Sequence, residues 1–261
     1  MILLAIETAT ELVGVSVAAA DGPRAAVWAT GRRQHAESLA PAVAHVLDQA
    51  GVTLPDVDAV AVDVGPGLFT GLRVGVTTAK GLAQGLDVGV LPCTSVDVLA
   101  AATYDAGWSG PVVAVVDARR SEVFASRYLP DPAAADGWRQ VAPPTRFTPD
   151  ALAGELAGAA DGAGWLAVGD GARRYADVLA AVAGLRVAGP ASPPPDALAA
   201  LAVRRLTGGS QPDRRTGTGT GSASGTATGL LAPSEVQPIY LREADARINW
   251  TQRDPVRPAG G

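Results

Sequence analysis

The chain opens on an apolar run, residues 2–6 (ILLAI), too short for a helix and read as a buried strand. A polar turn follows, and residues 13–19 resume as a second strand. Asp21-Gly22 signals a hairpin, so residues 25–30 pair back as a third strand of an antiparallel meander. The period then changes. Leu39, Val43, Val46, Leu47 and Ala50 recur at helical spacing, with Gly51 as the stop. Pro41 lies inside this stretch, so the helix either starts near it or kinks there. Residues 59–64 read as a strand, 70–86 as a helix, 89–92 as a short strand and 95–106 as a helix.

The same order then begins again. Residues 112–116 and 123–128 read as strands joined by the turn DARRSE, and residues 139–142 as a third strand. A weak helix over 149–159, a strand over 165–168, a helix over 175–182, a short strand over 185–188 and a helix over 195–206 follow. Two hairpin-first halves, each continuing as alternating helix and strand, predict an α/β chain of two related lobes. Residues 207–232 (rich in Gly, Thr and Ser) have almost nothing apolar to bury and predict a flexible insert. Residues 236–243 recover an extended, apolar character, and the last residues read as a frayed tail.

Composition narrows the classes. The 261 residues are 48% apolar with a mean hydropathy of +0.18, a globular balance. The formal charge is −5, and Lys80 is the only lysine among 21 basic residues. The arginines come as scattered doublets, so strong RNA affinity is not expected of the chain alone. Cys93 is the lone cysteine, which excludes an internal disulfide and fits a reducing cytosol. Residues 2–6 follow no basic region and run into Glu7, so no secretory signal is expected, and no apolar run reaches membrane-spanning length.

The segment DVGPGLFTGLRVG, residues 63–75, is strand, glycine loop, helix, the arrangement that holds phosphate in many nucleotide-binding proteins. It fails both phosphate signatures. The third glycine of a dinucleotide fingerprint arrives one residue late, at Gly71, and no Gly-Lys-Ser/Thr ending follows. What remains is a sharp turn with Thr70 as the expected N-cap. Arg73 lies in the first helical turn, where the helix dipole disfavours a cation by about 0.3–1 kcal/mol. A negative group is expected beside it: Glu7, Asp63 or a bound anion. Gly71, Gly75, Ala79 and Ala83 form a small-residue stripe along the helix, explained either by internal packing or by a subunit interface. Glu7 lies at a strand-turn-strand hairpin without glycines, which removes the close backbone approach to an anion. His35 and His45 fall about 80° apart on a helix and roughly 15 Å apart along it, so they cannot share a metal. No serine elbow is present, and no catalytic or metal-ligating constellation emerges.

Four segments, ILLAIETATELVGVSV, DVGPGLFTGLRVGVTTAKGLAQGL, VVAVVDARRSEVFASRY and QPIYLRE, in this order resemble the TsaB (YeaZ) family. RRQHAESLAP resembles the family's segment too. The resemblance implies a two-lobed actin-like, sugar-kinase-like (ribonuclease H-like) fold with mixed sheets flanked by helices. It implies a non-catalytic, cytoplasmic dimerisation subunit for threonylcarbamoyl transfer to the adenosine beside the tRNA anticodon. The expected partners are the catalytic subunit TsaD and the ATPase TsaE, with a homodimer as a competing assembly and tRNA reached indirectly. No cofactor is expected on this chain alone, and ATP or ADP only at an interface with partners. The expected pairing surface comprises His35, Leu39, Ala42, Thr70, Gly71, Val74, Gly75, Thr78, Lys80 and Gly81. Glu7, Thr8 and Arg73 are the expected contacts for an anion or interface nucleotide. The expected organisation is a first lobe over 1–107, a second over 108–206, the insert over 207–232, a returning segment over 233–246 and a tail over 247–261. An arginine at Gly75 is expected to weaken partner binding more than it unfolds the lobe. The alternatives, an ATP-dependent kinase of the same superfamily or a metallopeptidase, lack their motifs.

Overall fold

The computed structural model describes residues 1–31, 35–134, 136–159, 164–208 and 229–241. The body of the insert (209–228), the tail, and the doublets Arg32-Arg33 and Arg214-Arg215 lie outside the described residues.

Five strands make the first sheet: β1 (Ile2–Glu7), β2 (Leu12–Ala19), β3 (Gly22–Thr30), β4 (Ala59–Asp63) and β5 (Gly89–Cys93), in the order β3-β2-β1-β4-β5. The hairpins β1-β2 and β2-β3 are antiparallel, and β4 and β5 join in parallel through helical crossovers. Those crossovers are α1 (His35–Ala50) and α2 (Phe69–Leu86), and α3 (Ser95–Asp105) follows β5. The second sheet repeats the plan with β6 (Val112–Arg119), β7 (Glu122–Pro130), β8 (Trp138–Phe147), β9 (Trp165–Val168) and β10 (Leu185–Val187), in the order β10-β9-β6-β7-β8. Its helices are α4 (Pro149–Ala159), α5 (Asp170–Arg174), α6 (Ala176–Leu179) and α7 (Pro195–Thr207). Two mixed sheets of identical strand order and direction are the expected two-lobed actin-like arrangement.

Strand alternation assigns each face. Leu4 and Ile6 of β1 point outward, into a cluster with Val43, Val46 and Leu47 of α1 and Val76, Ala79 and Ala83 of α2. Leu3 and Ala5 point inward, into a cluster with Val98 and Leu99 of α3 and Leu198 and Leu201 of α7. The inner face of the first sheet is built largely of alanine (Ala5, Ala18, Ala59, Ala61), so helices approach it closely. The two inner helices cross over. The first half's α3 packs on β6, β7 and β9, and the second half's α7 packs on β1, β2 and β3. A third cluster, around Leu152, Leu156 and Leu179, covers the outer face of the second sheet.

Three elements differ from expectation. Helix α2 begins at Phe69 with Leu68 as its N-cap and no side-chain cap, so Thr70 is not the cap. The helix expected over 175–182 is only the short α6, and a further short helix, α5, precedes it across Tyr175. Strand β8 runs on through Pro143 and Pro144, which an edge strand tolerates. Helix α1 continues through Pro41. No helix among the described residues is long and apolar enough to cross a membrane.

Candidate functional site

The C-terminal ends of β1 and β4, the turn after β1, the 65–67 loop and the start of α2 meet at one place. The amides at the two ends of the loop are committed to the chain itself. The Gly65 amide donates to Asp63 Oδ1 at 2.7 Å, and the Leu68 amide to the Ala9 carbonyl at 2.6 Å. A Cβ on Gly67 would overlap that same carbonyl oxygen, so only glycine permits the approach. The loop is therefore a strand-to-helix turn clamped onto its neighbour, in line with its failed phosphate signatures.

The small-residue stripe of α2 faces the same turn. Thr8 Oγ1 donates to the Gly71 carbonyl at 2.9 Å, and a Cβ on Gly75 would overlap Thr8 Oγ1. Gly71, Gly75, Ala79 and Ala83 are all buried within the chain. This corrects the expectation for Gly71 and Gly75 as docking residues, and for arginine at Gly75, which would strike Thr8 and unfold the helix start directly. Leu39 is likewise a core residue of α1. Lys80 is also reassigned: its Nζ donates to the Val236 carbonyl at 3.1 Å and ties α2 to the returning segment. That segment bridges Leu231 to Val90 on the edge of β5 and donates from the Ile239 amide to the Val64 carbonyl at 2.7 Å. Glu243, at the end of the returning QPIYLRE motif, lies outside the described residues.

The residues left at the surface form two groups. On α2, Thr70, Arg73, Thr77 and Gly81 are exposed, with Val74 and Thr78 half-buried beside them. On α1, Ala36, Ala40, Pro41 and Ala44 are exposed and Ala42 is half-buried; His35 opens the helix. Arg73 does not pair with Glu7 or Asp63. Its guanidinium stacks 4.0 Å over the Phe69 ring, and its Nε donates to Tyr240 Oη at 3.1 Å. Phe69 and Tyr240 are both more than two-fifths exposed and lie 5.1 Å apart.

Glu7 and Thr8 are fully buried, which corrects the expectation that they contact an anion. Glu7 Oε1 accepts from the Ala9 amide at 2.7 Å. Burial pushes the Glu7 carboxyl well above its ordinary range, and the neighbouring Asp63 adds to the shift. Asp63 is raised too, chiefly by burial, although Gly65 and Ser95 hydrogen bonds oppose it. Ser95 Oγ donates to Asp63 Oδ1 at 2.7 Å. Cys93, buried beneath, has its thiol pushed up to about 12 by desolvation and is a core residue.

A second polar cluster, unforeseen from the sequence, lies at the turn after β6. Asp117 Oδ2 accepts from Arg119 Nη1 at 3.2 Å and Arg174 Nη1 at 3.3 Å, and the Asp117 amide donates to Asp170 Oδ1 at 2.9 Å. Arg119 Nη2 reaches across to Glu11 Oε1 at 2.9 Å, joining the turns of the two halves. Arg119, Arg120 and Ser121 all have positive φ (62°, 54° and 60°), an unusual run for non-glycine residues. The sequence signals for this cluster were the arginine doublets and the segment VVDARRSEV, which takes the place in the second half that the Glu7 turn has in the first. No group of three or more potential metal ligands occurs among the described residues.

Residues 29–136 match a family model described as TsaD: tRNA N6-adenosine threonylcarbamoyltransferase. The chain is 34% identical over 144 residues to the tRNA threonylcarbamoyladenosine biosynthesis protein TsaB of Haemophilus influenzae, covering 53% of this chain and 61% of that one. It is 34% identical over 131 residues to the protein of the same name from Escherichia coli, covering 50% and 56%. The matches thus span about three fifths of those relatives' length. The solved structure of YeaZ from Pseudomonas aeruginosa superposes with a TM-score of 0.71 at 26% identity, over 92% of this chain and 99% of that one. In both sequence and fold, the chain is similar to the TsaB (YeaZ) proteins.

Proposed function

We propose that the chain is a non-catalytic subunit of a tRNA threonylcarbamoyladenosine-forming assembly, docking a TsaD-type catalytic partner through the outer faces of α1 and α2. The observation that carries this reading is the character of that surface. Ala40, Ala44, Thr70 and Thr77 present small, uncharged side chains and Gly81 bare backbone on two neighbouring helices, a stripe suited to close helix-on-helix contact with the exposed charges Glu37, Asp48 and Arg73 around it. A sealed pair of acids at the strand ends, in place of an accessible reactive group, supports a scaffolding role. Arg73 is the proposed contact for an anionic group at that interface, held ready by Phe69 and Tyr240. Any nucleotide is bound there, with the partner, in a cytoplasmic assembly that includes a TsaE-type ATPase. A second copy of this chain would compete for the same faces.

The test is Gly81→Arg. Gly81 is exposed, and a Cβ there meets nothing within 4 Å, so the helix accepts the change and its propensity improves by about 1 kcal/mol. Affinity for the cognate TsaD, measured by calorimetry, should fall at least about tenfold while Tm holds or rises. Unchanged affinity would remove α2 from the docking surface. Full modification activity in a reconstitution that omits this chain would end the proposal altogether.

A further inference from the structure

Glu7 and Asp63 end two parallel, paired strands whose register sets Ile6 beside Val62, so the two acids are direct neighbours at the sheet's end. Both have 0% exposure. Each carboxyl commits one oxygen to protein donors: Glu7 Oε1 to the Ala9 amide, and Asp63 Oδ1 to the Gly65 amide and Ser95 Oγ. The remaining oxygens, Glu7 Oε2 and Asp63 Oδ2, are buried and have no hydrogen-bond donor, and the negative charge of Asp63 adds to the rise of the Glu7 carboxyl. Two carboxylates so placed repel and leave both oxygens orphaned. One carboxylic acid donating to one carboxylate satisfies both.

We propose that Glu7 and Asp63 hold a single proton between them, and that this shared proton clasps the β1-β2 turn to the 65–67 loop beneath the start of α2. Glu7 is the donor, because its carboxylate has only the Ala9 amide to stabilise it, whereas Asp63 has two donors. The other groups facing the pair cannot replace the proton. Ser95 of α3 is already committed to Asp63, and Asp97 of α3 adds negative potential. Cys93 at the end of β5 is a neutral thiol, and Arg205 of α7 is engaged by Asp97 and Asp136. Among the described residues neither carboxyl takes part in an ion pair, and the outer oxygen of each has no donor.

The sign of the pH dependence follows. The unfolded chain releases the Glu7 proton near pH 4.3, while the folded chain keeps it to higher pH. The clasp's contribution is complete below the unfolded value. It is lost as pH rises through the interval up to the folded one, at roughly 3–5 °C of Tm per pH unit.

The test uses the isolated full chain, so its outcome is independent of partner docking. Tm is measured from pH 5 to pH 8 for the wild type, Glu7→Gln, Asp63→Asn and the double variant. A Gln amide keeps the acceptor for Ala9 and donates permanently to Asp63. Glu7→Gln should therefore be more stable than wild type at pH 8, with a flatter pH profile. Asp63→Asn, which donates in the reverse direction, should also flatten the profile. The double variant sets amide N–H against amide N–H and should fall below both singles at every pH. In the wild type, amide exchange at Ala9 and Gly65 should quicken with pH more steeply than in Glu7→Gln. Parallel profiles for wild type and Glu7→Gln, or a double variant as stable as the singles, would overturn the proposal. So would a Tm rise with Mg2+ at pH 8 that Glu7→Gln abolishes, since that would place a cation between the acids.

Discussion

The turns after β1 and β6 occupy equivalent places in two sheets of one strand order, and each follows an acid that is closed off from water. Their solutions to that buried charge are opposite. In the first half the acid at the end of β1, Glu7, meets the acid at the end of β4, Asp63, and the pair resolves its charge with a proton. In the second half Asp117 lies beside Asp170, which follows β9, but Arg119 and Arg174 neutralise it. A proton needs no room, so the first turn seals completely. Guanidiniums need solvent, and these two keep 40% and 55% of their side-chain surface exposed. The same topology has thus yielded one closed junction and one open junction held by ion pairs. The difference lies in which groups the following turn supplies.

The comparison can be tested at decreasing magnitude. Both junctions depend on glycines that press against backbone: a Cβ on Gly67 would overlap the Ala9 carbonyl, and one on Gly169 the Val115 carbonyl. Alanine at either should cost about 3 kcal/mol in urea denaturation, and more at Gly169, whose φ is +105°. An asymmetric loss, with one substitution silent, would break the equivalence of the two turns. Next in size is the contrast in sign. Asp117→Asn leaves two arginines short of their anion and should cost about 1–2 kcal/mol after allowance for their exposure, whereas Glu7→Gln should stabilise above neutral pH. Matching signs would mean that both acids are held in the same way. The smallest effect is expected from Arg119→Gln. The Glu11–Arg119 bridge is two-fifths exposed at both ends, so its loss should cost about 0.5 kcal/mol beyond the Asp117 contact, and less at high salt. A double-mutant cycle with Glu11→Gln isolates that term.

Periodicity carried most of the fold, because strand alternation and helical spacing are local properties. Every strand of the first sheet was readable from it, and the repeated hairpin-first order anticipated the second. The misses share a cause: each depends on a neighbour remote in the chain. Thr70 has the chemistry of a cap, but the Leu68 amide is drawn to the Ala9 carbonyl and the helix starts earlier. Lys80 reads as part of the pairing surface until the returning segment presents the Val236 carbonyl. The stripe of Gly71 and Gly75 shows that something approaches closely, yet spacing alone cannot distinguish Thr8 of the same chain from a partner. The Arg73 dipole argument asked for a negative group, but neither Glu7 nor Asp63 supplies it; an aromatic face and a phenol meet the guanidinium instead.

The crossing of α7 onto the first sheet also bears on how the chain is made. A ribosome that has released residues 1–107 has delivered all five strands of that sheet, but not the helix that covers its inner face. About a hundred further residues must emerge first, roughly 5–20 s at ordinary synthesis rates. Through that interval the alanine-lined face stays uncovered on the nascent chain. The first half therefore matures only once the second has been translated.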